Sequence, residues 1–153
     1  MFETIAYALL KNHFHLVVYV KENVVVPKHN GQGTIQLNAS RQLSHLFNSY
    51  AQAINKANNR TGPLFESPFE RKLIDDDDYL LSVICYCHLN PQKHGFVNDF
   101  KDWEFSSYQA IAENNNNLLC SQRVLDWFGG VAGFKEAHEG RYQQADMEKF
   151  IIE

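Results

Sequence analysis

The chain has 153 residues, 44% of them hydrophobic and 21% charged, which suits one soluble domain with a sizeable core and at most a small appendage. Its net charge of −4 excludes a broadly basic nucleic-acid coat, and the acidity is uneven: residues 111–153 hold 4 basic against 7 acidic side chains, residues 1–110 hold 10 against 11. No apolar run approaches the ~20 residues of a membrane span, no basic-then-apolar leader opens the chain, and Cys85, Cys87 and Cys120 do not make a disulfide framework. A cytoplasmic protein with no membrane partner is therefore expected.

Residues 2–10 read as a strand, Lys11-Asn12 as a two-residue turn, and residues 13–20 as the second strand of a hairpin. Residues 21–39 are polar, with Gly31 and Gly33, and read as a loop that could include a short strand at Val24-Val25-Val26. Ser40 is an N-cap candidate for a helix to about Asn58, because Leu43, Leu46, Phe47, Tyr50, Ala53, Ile54 and Ala57 recur at helical spacing and form a core stripe. After the turn cluster at residues 59–63, residues 65–74 read as a strand with Phe69, Arg71 and Leu73 on one face and Glu70 and Lys72 on the other. Asp75-Asp76-Asp77-Asp78 then supplies carboxylates for the positive end of a helix. That helix should run to about Asn90, since Pro91 disfavours helical geometry in the residue before it. Residues 103–112 form a short docked segment, residues 113–117 an Asn-rich linker, and residues 118–153 a helical extension split at Gly129-Gly130.

Two features carry chemistry. His13 and His15 are two apart on a strand, so both project to one face and together offer half of a divalent-metal site; two solvated rings would give the same pattern. Tyr86 and Asn90 are four apart on a helix and share a face. A phenol can attack phosphorus, and an amide oxygen suits Mg²⁺ or Mn²⁺; on spacing alone, packing of Tyr86 and end-capping by Asn90 are the simpler reading. Cys85, Cys87 and His88 suggest zinc at first sight. Residues two apart on a helix, however, point about 200° from each other, so the two cysteines cannot share an ion, and Asn is a poor ligand for a zinc hydrolase.

The string Tyr7-Ala8-Leu9-Leu10-Lys11-Asn12-His13-Phe14-His15-Leu16-Val17 resembles the HUH motif of single-tyrosine transposases, including the REP-associated type. Tyr86-Cys87-His88-Leu89-Asn90-Pro91, followed by Gly95-Phe96-Val97, is similar to their nucleophile helix. Arg60-Thr61-Gly62-Pro63-Leu64-Phe65 and Trp103-Glu104-Phe105-Ser106-Ser107-Tyr108 match further blocks in the same order, so the likeness covers roughly residues 3–112. It implies an α+β fold: an antiparallel sheet with helices packed on one face, ferredoxin-like or RRM-like in the HUH endonuclease manner. It also implies that residues 1–112 form the catalytic domain and lack the family's usual first strand and helix, so that a longer gene or a second copy of the chain would complete the sheet.

Carried over residue by residue, the resemblance makes His13, His15 and Asn90 ligands of Mg²⁺ or Mn²⁺ and Tyr86 the nucleophile. The implied function is cutting and rejoining single-stranded or hairpin DNA through a 5′-phosphotyrosine. The alternative is a catalytically decayed module that binds DNA hairpins without cutting. Lys11, Lys28, Arg41, Arg60, Arg71, Lys72 and Lys93 are the candidate DNA contacts. His13 and His15 should face Tyr86 across a gap wide enough for a cation and a phosphate oxygen, with Phe14 turned the other way into the core.

Overall fold

A computed structural model describes residues 2–66, 69–115 and 119–141. The fold is α+β, and the described strands divide into two short two-stranded antiparallel sheets instead of one continuous ferredoxin-like sheet. Two compact units are formed, one from Val20–Arg71 and the larger from Glu3–Tyr19 with Lys72 onward.

In the smaller unit, β3 (Val25–Pro27) pairs with β4 (Thr34–Gln36), Val26 opposite Ile35. Helix α1 spans Ala39–Ala57 and is capped by Asn38, whose Oδ1 accepts the Arg41 N–H at 3.0 Å. The cap is Asn38 and not Ser40; an amide oxygen caps as well as a hydroxyl, and helical geometry begins as soon as a cap is available. The expected core stripe of α1 is also corrected, because no residue of this helix is fully buried and Leu46 is 59% exposed. Residues 69–76 are irregular, not a strand. Alternation alone does not make a strand without a neighbour to complete its ladder, and the segment instead lays Phe65 and Phe69 against Phe47, with ring centroids 5.7 and 5.2 Å apart.

The larger unit holds the hairpin of β1 (Phe2–Leu9) and β2 (Phe14–Val20), closed by Leu10 N–H donating to the His13 carbonyl at 2.9 Å. Later backbone also bonds to β1: Leu9 N–H donates to Phe105 O, Ser107 N–H to Tyr7 O, and Cys120 N–H to Thr4 O. Helix α2 (Asp77–Lys93) is capped by Asp76, whose carboxylate accepts the Tyr79 N–H at 2.7 Å, with Asp77 and Asp78 in the first turn. The acidic run thus starts the helix as expected. Pro91 does not end it, and the last turn closes through His94 N–H to Asn90 O and Phe96 N–H to Pro91 O. The proline bias against helix is overridden where the preceding turns are buried, as eight residues of α2 are.

Helices α3 (Tyr108–Ala112), α4 (Ser121–Trp127) and α5 (Val131–Glu136) close the core formed by Ile5, Ala6, Val17, Ile84, Ile111, Val124 and Phe134, among others. Gly129 and Gly130, with φ of 75° and 101°, make the α4–α5 turn, which a side chain at either place would strain. A π-helical turn, Ala137–Arg141, follows. Most of the expected second tail helix, and part of the Asn-rich linker, lie outside the described residues. No helix among the described residues is long and apolar enough to cross a membrane.

One buried polar chain runs through this core. Phe134 O can only accept, so His138 donates from Nδ1 (2.7 Å) and accepts at Nε2 from His88 Nδ1 (2.8 Å). His88 Nε2 then accepts from Ser107 Oγ at 2.8 Å, and Ser107 Oγ accepts the Tyr7 N–H at 2.8 Å. Every tautomer follows from one carbonyl. Burial holds both rings neutral, and for His88 the neighbouring His138 adds to it: His138 titrates at about 4, and His88 well below the usual histidine value.

Candidate active site

His13 ends the turn and His15 lies in β2, and their two-residue spacing brings the ring centroids to 5.1 Å. The Nδ1–H of His13 donates to Asn12 Oδ1 at 2.9 Å, which fixes the ring with its proton on Nδ1. His15 Nε2 is buried and has no hydrogen-bond partner. Desolvation, then the charges of His13, His94 and Lys93, lower the His15 pKa to about 4. At neutral pH the ring is uncharged and able to act as a ligand.

Tyr86 meets His15 edge to face, centroids 5.6 Å apart at 79°. The two rings are therefore in contact, and Tyr86 is only 5% exposed, so the expected open gap between them is absent. Asn90, one turn along α2, is 0% exposed; its Nδ2 donates to Tyr86 O at 2.9 Å, while Oδ1 is buried without a partner. Buried acceptors lacking a donor are uncommon and each needs a reason. An imidazole nitrogen and an amide oxygen are atom types that a small divalent cation accepts as ligands, while Asn55 Oδ1 and Ser121 Oγ are further unpartnered buried atoms elsewhere among the described residues. Among the described residues no group of three or more His, Cys, Asp and Glu side chains could hold a metal ion, so a cation here would depend on the Asn90 oxygen and on oxygens from substrate or water.

The cysteines stay outside this set. Burial pushes the Cys85 thiol up to about 12 and raises Cys87 as well, so both remain protonated. Cys85 Sγ lies 3.7 Å from His138 Nδ1, and Cys87 Sγ points at His15 O.

Of the cations singled out in the sequence, two are placed here. Lys93 Nζ stands 5.0 Å from the Tyr86 ring centroid, and Lys11 Nζ stands 5.4 Å from that of Phe96. Lys72 covers the Tyr79 ring at 4.9 Å. Lys28, Arg41, Arg60 and Arg71 belong to the smaller unit; Arg60 bonds within its own loop to Pro63 O, and Arg71 Nη1 bonds to Ser40 Oγ. Phe14 is half-buried and not a core residue.

His94 is a site residue that sequence reasoning missed. Its ring lies 5.0 Å from His13, and it continues the four-residue spacing Tyr86, Asn90, His94 along one face of α2. That spacing was visible in the sequence, but the expected helix end at Asn90 hid it.

No protein-family model and no solved structure matches the chain. Among curated proteins it is similar to one from Haemophilus influenzae (strain ATCC 51907 / DSM 11121 / KW20 / Rd), provisionally described as a REP-associated tyrosine transposase, with 34% identity over 113 residues. The match takes in 70% of this chain and 59% of that protein, so the chain spans well under two thirds of its relative's length. The 34% identity over 70% of this chain supports the REP-associated tyrosine transposase family, and the His pair, the tyrosine and the amide lie in one unit of the α+β fold.

Proposed function

We propose that the protein is a cytoplasmic strand transferase for single-stranded or hairpin DNA, with Tyr86 as nucleophile and His13, His15 and Asn90 as ligands of Mg²⁺ or Mn²⁺. The observation that carries this reading is the pair of unpartnered buried acceptors, His15 Nε2 and Asn90 Oδ1, flanking Tyr86. Bound there, the cation would polarise a non-bridging oxygen of the scissile phosphate. Tyr86 Oη forms a bond to phosphorus as the P–O3′ bond breaks. The phenol gives up its proton, and the departing 3′-oxygen gains one. The Lys93 ammonium supplies positive charge 5.0 Å from the ring where negative charge develops. The 5′-phosphotyrosine conserves the ester, so attack by a 3′-OH rejoins DNA without a nucleotide cofactor.

The closed contact between His15 and Tyr86 favours a second reading, a decayed hairpin-binding module. A labelled hairpin oligonucleotide with a single-stranded flank, incubated with Mg²⁺ or Mn²⁺ and run on a denaturing gel, separates the two. The enzyme reading expects a covalent adduct from the wild type and none from Tyr86→Phe, with hairpin binding unchanged. Binding without any adduct supports the module, and absence of binding refutes both.

A further inference from the structure

The ring contacts do not stop at the His pair. From His13 they continue to His94, then Phe96 (6.1 Å, 26° between planes), Trp103 (5.8 Å, 25°) and Phe105 (5.8 Å, 72°). Successive aromatic planes therefore lead from Tyr86 out to Phe105, which is 52% exposed. They are held on fixed backbone. Trp103 Nε1–H donates to Leu9 O at 3.0 Å, Leu9 N–H donates to Phe105 O at 2.9 Å, and Phe96 N–H bonds back to Pro91 O. Lys11 adds a cation over Phe96.

We propose that His94, Phe96, Trp103 and Phe105 form a base-stacking track that holds the unpaired nucleotides next to the cleavage point, with Lys11 taking a phosphate. This rests on the DNA reading above and deepens it. Rigid aromatic faces with an interleaved cation match what single-stranded nucleic acid offers, a π-face on every base and a phosphate between. A duplex does not fit, because its bases are already stacked on one another. Asp102 and Glu104 flank Trp103 in the chain, so the local charge is mixed and the track's affinity comes from stacking more than from counterion release.

The test uses the full chain carrying Trp127→Phe, which leaves Trp103 as the sole tryptophan. A twelve-residue dT strand, a duplex of equal length and the hairpin oligonucleotide are titrated, following tryptophan fluorescence and the anisotropy of an end label. The single strand should quench Trp103 and the duplex should not. Phe105→Ala removes an exposed ring without touching the core, and should weaken single-strand binding about tenfold with an unchanged salt slope. Lys11→Gln should lower that slope by about 0.7. Binding of the strand without quenching, unaffected by Phe105→Ala, overturns the track and leaves the DNA reading standing. Equal quenching by the duplex also overturns it. If neither the strand nor the hairpin binds, both fall.

Discussion

Asn90→Leu turns the proposed ligand set into a stability measurement. Asn90 is fully buried with Oδ1 unpartnered, a group whose desolvation goes uncompensated at about 1–3 kcal/mol. Leucine branches at the same atom and carries no polar group. The substitution also removes the Nδ2 bond to Tyr86 O, about 1 kcal/mol, although that carbonyl lies inside α2 and keeps its main-chain partner. Burying the new methyl groups returns about 1–2 kcal/mol. The balance is a gain of about 1–4 kcal/mol for the apo protein, which for a chain of this size raises Tm by about 2–4 °C per kcal/mol.

The cation should reverse the ranking. Millimolar Mn²⁺ stabilises whatever it binds by mass action, so it should raise the wild-type Tm and leave Asn90→Leu unmoved. Thermal unfolding followed by circular dichroism, with and without Mn²⁺, reads both effects. If Asn90→Leu melts lower than the wild type without metal, Oδ1 has a structural purpose and the orphan argument fails. If Mn²⁺ raises both proteins equally, Asn90 is no ligand.

His138 titrates at about 4 when folded, below the 6.5 of an unfolded chain, so the unfolded state takes up its proton first. Its contribution is complete above about pH 7 and is lost as pH falls towards 4, amounting to about 3 kcal/mol. His88, Cys85 and Tyr108 are the titratable groups beside it. Urea midpoints measured from pH 7 to pH 4.5 should fall in the wild type and fall less steeply in His138→Phe; parallel slopes would refute this. Gly133→Ala would drive a Cβ into the Phe128 carbonyl, main-chain atoms that cannot swing aside, and should cost about 2–3 kcal/mol by calorimetry. Lys93→Met removes the cation beside Tyr86 and, under the strand-transferase reading, should slow adduct formation about tenfold with hairpin binding nearly unchanged.

The local signals in the sequence were the reliable ones. The hairpin, its Lys11-Asn12 turn and the acid-capped start of α2 depend on neighbours within a few residues, and all are present. The strand expected over residues 65–74 and the core role of the α1 stripe depended on distant partners that periodicity does not name. Leu73, placed with Phe69 and Arg71 on one face of that strand, is 81% exposed. The placement of His15 beside Tyr86 could be reached only through the resemblance, since 71 residues separate them and no spacing rule spans that distance. The His88–His138 chain had no sequence signal, because two lone histidines fifty residues apart look like any others.

Helix α2 explains why amphipathicity was a poor guide at the centre of the molecule. Its Tyr86–Asn90–His94 face turns towards the His pair, whereas Cys85 and His88 turn into the core and join the polar chain to Ser107 and His138. A helix buried on both sides shows no single apolar stripe. On the core side Cys85 and His88 are partnered, and on the other the Asn90 Oδ1 is buried without a partner. Under the strand-transferase reading, the unmet Asn90 oxygen is a ligand group held ready for a cation, and that is the reason for placing the chemistry on the Tyr86 face.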